Sequence, residues 1–483
     1  MPSLARGLPQ GHPQGGGFSG YGARTALRNL RSRRGTGNGT SAKEGGNGVD
    51  EAQAVGRRIR EVRCWRGLTL REAADLAALS FSFWGQVERG EKPVANRATL
   101  EAMASALRVH PAELTGQPWA LRDAVGAEAQ AGLLAIDTAL ERYELGVDPE
   151  VPVRAWPRIQ ADIDRLVHLR HHVVDHAVQG ELASVLIGEL QAAYVRLPRH
   201  RREVLLGLID AHRVAMRTAK DLSGHGLPGL AARAVRQCAE VLEDPVWLGC
   251  AAFVRGAAGG ELDRAGQYRR SVAAAESLSG RLDCGEALQT CGMLHLQAAQ
   301  AAGARGDHDS SATHLDEVSA LAGRIDTEVG TWAHLWFGVT NVGIYRTSLA
   351  LETGQHGQAL QAAKAVHPEL LPKPSQALFW SEVGRALVAE KKTRDKGVRV
   401  LLHAERLAPR WTYHDVIVRE TVAGLLRQAR RDAGGRELRG LASDREAYPA
   451  HPRGSSCHRP GPSSRTLHPW RATKRLHPWL QAE

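Results

Sequence analysis

Six cysteines in 483 residues, with no CxxC pair among them, leave little to staple a fold. Cys64, Cys238, Cys250, Cys284, Cys291 and Cys457 lie far apart, which excludes a disulfide framework and fits reduced thiols. Long apolar runs are missing too. No stretch of about 18 apolar residues occurs, so no membrane span is expected and the chain reads as cytoplasmic. The arginines near the start are not followed by the apolar run of a secretory signal. Catalytic signatures are also lacking: there is no GxSxG, no Walker loop and no GxGxxG opening a helix after a strand. The expectation is a protein that is not an enzyme and needs no cofactor. His171, His172 and His176 fall within one predicted helix, 156–176, with the last two at i, i+4 spacing. No HExxH is present, and no Cys or acidic partner is placed to complete four ligands. They are read as solvated histidines, and no metal site is expected.

Charge is plentiful but uneven. The chain carries +11 overall. Residues 1–48 hold seven Lys/Arg against one acid, residues 51–117 hold ten against eight, and residues 443–483 hold seven against three. Residues 118–442 balance at 39 against 39, so the long middle offers nucleic acid no basic surplus. Residues 1–50 form a Gly/Arg/Ser-rich tail that cannot bury a core and is expected to be disordered. An inert extension or a misassigned start is the favoured reading of it, with a basic arm on phosphates as the alternative. Residues 443–483 are Pro, His, Arg and Ser with LHPW twice. A shifted reading frame near 443 is the favoured explanation, and a peptide-docking tail the alternative.

The segment Gly56 to Gly90, GRRIREVRCWRGLTLREAADLAALSFSFWGQVERG, points to a specific act. Thr69 and Glu72 have the spacing of a capping box. The helix they open carries Ala73, Ala74 and Ala77 on its inner side, small enough to let another helix cross closely. Ala78-Leu79 makes a turn, Ser80 is a second N-cap, and Phe81 to Arg89 is the next helix. Trp84 and Val87 at i, i+3 face the core, while Ser82, Gln86 and Arg89 fall on another face. Gly90 ends the helix. In bundles of this shape the second helix enters the major groove. A carboxamide such as Gln86 can donate to and accept from adenine at once, and Arg71, Arg89 and Lys92 sit where phosphates would run.

With GRRIREVR, RGLTL, AA-x-LA-x-LS, VERGEKP and ATLEAMASALRVHPAEL, residues 53–116 resemble the XRE family, the Cro and phage-repressor type of bacterial regulator. The resemblance implies five helices. Leu100, Met103, Ala104 and Leu107 make the apolar face of one, and Pro111 opens the last. It also implies DNA contacts at Thr69, Arg71, Phe81, Ser82, Gln86, Arg89, Lys92 and Arg97. The chain departs from the family at Ala78, where the turn usually has Gly, and at Leu70 and Phe81, where polar residues are usual. Phe81 can press on a thymine methyl instead. Gly85 weakens the recognition helix by up to about 1 kcal/mol relative to Ala.

From residue 118 the pattern is helical, with Ala- and Leu-rich amphipathic segments broken by Gly, Pro and Asp. A coarse repeat follows, in which one helix gives way to a second that starts with a small residue. Ala265, Ala312 and Ala359 are 47 apart, and Gly397 comes 38 later. Helical pairs stacked in this way bury their faces only against neighbours. The layout resembles a degenerate tetratricopeptide (TPR) array. Trp332, Trp336 and Trp380 are read as core residues that could alternatively line a pocket.

The fold class expected is therefore all-α: a five-helix XRE bundle at 51–117 and a TPR-like α-solenoid at 118–442, between two tails. The expected function is a sequence-specific DNA-binding transcriptional regulator. Its TPR-like region would form a homodimer and sense a small-molecule, peptide or protein partner. The competing class is an adaptor whose bundle and array bind proteins and not DNA.

Overall fold

The computed structural model describes residues 47–115 and 124–431, and every regular element within them is helical. The tails at 1–46 and 432–483, and the junction at 116–123, lie outside the described residues. So do the readings placed on them, including the altered frame near 443.

The first five helices are α1 (Asn47–Trp65), α2 (Leu70–Leu76), α3 (Phe81–Glu88), α4 (Arg97–Leu107) and α5 (Pro111–Thr115). α1 begins four residues ahead of the expected domain start at 51. Thr69 accepts the Glu72 amide while Glu72 reaches back to the Thr69 amide, so the capping box forms. Ser80 caps α3 by accepting from Phe83 N. Ala73, Ala74, Trp84, Val87, Leu100, Met103, Ala104 and Leu107 are all buried in one core, as the periodicity requires. A polar network ties α1 to α3. Arg63 grips Glu88 with two hydrogen bonds of 2.6 and 2.9 Å, and Trp84 Nε1 donates to the same carboxylate at 2.7 Å. Ala78 sits at φ +53°, a left-handed conformation that explains why the turn favours glycine.

The chain then stacks fifteen helices: α6 (Ala124–Glu141), α7 (Trp156–His172), α8 (His176–Arg196), α9 (Arg201–Asp221), α10 (Leu227–Leu242), α11 (Pro245–Gly259), α12 (Arg264–Leu278), α13 (Gly285–Ala304), α14 (His308–Ala322), α15 (Val339–Glu352), α16 (His356–Ala363), α17 (Lys373–Val388), α18 (Arg394–Leu407), α19 (Pro409–His414) and α20 (Val416–Arg431). Most pack mainly on their sequence neighbours, which is the pattern of helical repeats, while α6 lies chiefly on α8 and α20 chiefly on α1. The pairs α11/α12, α13/α14, α15/α16 and α17/α18 match the repeat read from the sequence. Of the repeat markers, Ala359 and Gly397 are buried and Ala265 is half-buried, whereas Ala312 is exposed and Ser311 holds the buried place. A Cβ at Gly397 would lie 2.9 Å from Gly384 O, so α17 and α18 touch almost backbone to backbone.

Two further expectations change. The helix expected over 156–176 breaks at 173–175, where Asp175 caps α8, so His172 and His176 do not share one helix face. His172 is exposed, His171 is half-buried against His334 and Trp336, and His176 is buried 3.6 Å from Asp221. The reading of all three as solvated histidines therefore holds for His172 alone. Trp380 is core. Trp332 and Trp336 lie in an irregular segment before α15, where Ala333, His334 and Trp336 all have positive φ.

Candidate nucleic-acid interface

Phe81, the first residue of α3, is 53% exposed. Beside it Ser82 is exposed, and Arg71 from the first turn of α2 lays its guanidinium over the Phe81 ring, 5.5 Å from the centroid. One turn further along α3, Gln86 is half-buried, and its backbone carbonyl accepts the amides of Glu91 at 2.8 Å and Lys92 at 3.2 Å. Those bonds fold the chain back after Gly90, which sits at φ +68°. They bring the exposed Lys92 over the Phe83 ring at 5.8 Å. Two cations, each over an aromatic ring, share the α2–α3 corner with a hydroxyl and a carboxamide.

The other candidates are engaged elsewhere. Thr69 spends its hydroxyl and its amide on Glu72. Arg89 pairs with Glu91 at 2.6 Å, both exposed, a weak surface contact that leaves the arginine able to exchange partners. Arg97 is separated from the corner altogether. It donates to Asp415 at 2.9 Å and lies 4.0 Å from Glu382. Its guanidinium is thus committed to carboxylates of the helical array.

A Cβ on Gly85 would meet Arg89 Nη1 at 3.1 Å and Leu70 Cδ1 at an ordinary contact distance of 3.6 Å. Leu70 is half-buried against the bundle core. Of the two apolar departures in this corner, only Phe81 points to solvent.

Arg97 belongs to a seam that sequence reasoning missed. Glu352 of α15 accepts from the amides of Arg97 and Ala98 at 3.0 and 3.4 Å. A carboxylate from the array thereby occupies the N-terminus of α4, where the helix dipole favours an anion. Arg385 donates to Ala95 O at 2.7 Å, and Arg264 Nε donates to Glu101 at 3.0 Å. His110 meets His225 edge-on at 5.0 Å between ring centroids. Burial pushes the Glu382 carboxyl up to about 7, against the pull of Arg97 and a hydrogen bond from Ser348. Glu420, which hydrogen-bonds the Val94 backbone, is likewise pushed up to about 7 by burial. The seam therefore runs along residues 94–101, is extended by His110 and by the packing of α1 on α20, and leaves the α2–α3 corner exposed with the array in place.

Among the described residues no group of three or more His, Cys, Asp or Glu side chains is arranged to hold a metal ion. None of the described helices is long and apolar enough to cross a membrane.

Comparison with known proteins agrees with the bundle. Residues 54–115 match a family described as a helix-turn-helix domain. A search of curated proteins returns no match. One solved structure, the apo form of the competence regulator ComR from Streptococcus vestibularis, aligns over 73% of this chain and 99% of its own, at 12% identity and a TM-score of 0.26. Residues 54–115 of this chain are a helix-turn-helix domain of the XRE type, followed by helical repeats.

Proposed function

We propose that the protein is a transcriptional regulator. In this reading α3 enters the major groove of operator DNA, α2 crosses the phosphate backbone, and the helical repeats supply dimerisation and control by a ligand or partner. The observation that carries it is the state of the α2–α3 corner. Arg71, Phe81, Ser82 and Lys92 are exposed even with the whole array in place, and the bundle meets the array through other residues. Arg71 and Lys92 would hold phosphates, while Ser82 and Gln86 would meet base edges. One such domain covers one half-site. Two half-sites about 34 Å apart ask for two copies, which is the argument for a homodimer.

The test is titration of the full-length protein against duplexes selected from a random pool. Each neutralised phosphate contributes about −0.9 to the slope of log K on log salt, so a steep loss of affinity between about 50 and 200 mM salt is expected. Absence of any selected sequence, or a flat salt response, would favour the adaptor reading.

A further inference from the structure

We infer that Phe81, braced by Arg71, reads the C5-methyl group of a thymine in the operator. The inference rests on the DNA-binding reading above and names the base feature it recognises.

Phe81 is out of place by its chemistry. Among the described phenylalanines, Phe83, Phe253, Phe337 and Phe379 are buried or half-buried, and Phe81 alone is exposed. The bundle core does not use it. Exposing a large apolar ring costs free energy unless a partner covers it. The ring sits at the first position of the helix whose N-terminal residues face base edges in this class of bundle. In the major groove the apolar feature on a base edge is the thymine methyl.

Arg71 bears on the ring from the neighbouring helix. Its guanidinium covers one face of Phe81, a cation–π contact that limits where the ring can turn. Arg71 comes from α2, so the brace spans the two helices that would straddle the backbone and the groove. A guanidinium stacked on a ring keeps its N–H edges for hydrogen bonding, and those edges are suited to a phosphate oxygen. One residue pair would thus anchor the backbone and press on a methyl. Ser82 beside it is the hydroxyl best placed to bond a neighbouring base edge.

The experiment uses the full-length protein and a duplex selected by it from a random pool, with thymines replaced one at a time by deoxyuridine. That change removes a single methyl and leaves every hydrogen-bonding group of the base. Replacement at one position per half-site is expected to weaken binding about fourfold, the effect of exposing one buried methyl, with little change at the others. Phe81→Ala should bind the two duplexes equally, and Phe81→Leu should restore part of the preference. Arg71→Lys keeps the charge and removes the flat cap, so it should retain the salt slope while blunting the thymine preference. Melting curves should be unchanged for the Phe81 variants because the ring lies outside the core. Specific binding that ignores every methyl, or a preference that survives in Phe81→Ala, would overturn the inference and leave DNA binding standing. Selection of no sequence at all would overturn both.

Discussion

Arg97 to alanine should loosen the helix-turn-helix domain from the repeats without unfolding either. The arginine faces two carboxylates that water scarcely reaches, Asp415 at 11% side-chain exposure and Glu382 at 3%. Removing one member of a fully buried pair costs about 3–5 kcal/mol. Arg97 itself is 36% exposed, so water already screens part of the attraction, and about 2 kcal/mol is the appropriate figure. At about 1.4 kcal/mol per tenfold, the open population rises roughly 30-fold. Amide hydrogen exchange reads this directly, because the amides of Arg97 and Ala98 donate to Glu352 across the seam. Exchange in a 94–101 peptide should accelerate by that factor, while the α1 core around Ile59 and Val62 keeps wild-type protection. A double-mutant cycle with Asp415→Ala should show the two losses to be less than additive. Unchanged exchange over 94–101, or equal acceleration throughout the bundle, would refute the assignment of the seam to this cluster.

Three further outcomes follow from the geometry. Gln86→Ala should cost about 1–3 kcal/mol on the selected sequence and relax discrimination, whereas Lys92→Ala should weaken selected and random duplexes alike; competition titrations separate the two. Ala78→Gly should stabilise the bundle by about 1 kcal/mol in urea unfolding, because the left-handed turn strains any Cβ. Glu382 carries a carboxyl that burial raises from 4.5 to about 7, so its contribution to stability is full below pH 4.5 and is lost as pH rises through 7. Glu382→Gln cannot ionise and should therefore gain on the wild type as pH rises from about 4.5 to about 7, at about 1.4 kcal/mol per unit at most, and hold that gain above it. A stability difference that does not vary with pH would contradict that sign.

The bundle was legible because its determinants are local. Thr69 with Glu72, Ser80, Trp84 with Val87, and the stripe Leu100–Met103–Ala104–Leu107 each declare a cap or a buried face within a few residues. The helical pairs were legible for the same reason, down to Ala359 and Gly397. The exchange of Ala312 for Ser311 as the buried residue was not legible, since both are small and adjacent. The break between His172 and His176 was hidden because Val173, Val174 and Asp175 are all compatible with a helix until Asp175 is seen to cap α8. The seam was beyond reach. Arg97 finds its partners 255 and 318 residues away, and an arginine at the start of a helix in such a domain reads naturally as a phosphate contact. The sequence supplied the cation, and the fold supplied its carboxylates.

The bundle core and the array cores are separate, and from the array only Val416 packs against the bundle core among the described hydrophobic residues. Beside the packing of α20 on α1, what joins the two is charge. Parting them would hydrate these carboxylates and guanidinium groups as well as uncover the α1–α20 contact. Heat capacity rises with apolar exposure and falls with polar exposure, so the separation should carry a smaller heat-capacity change than the melting of either part. It should respond to ionic strength where melting responds to temperature. The joint would then open with rising salt while both cores stay folded.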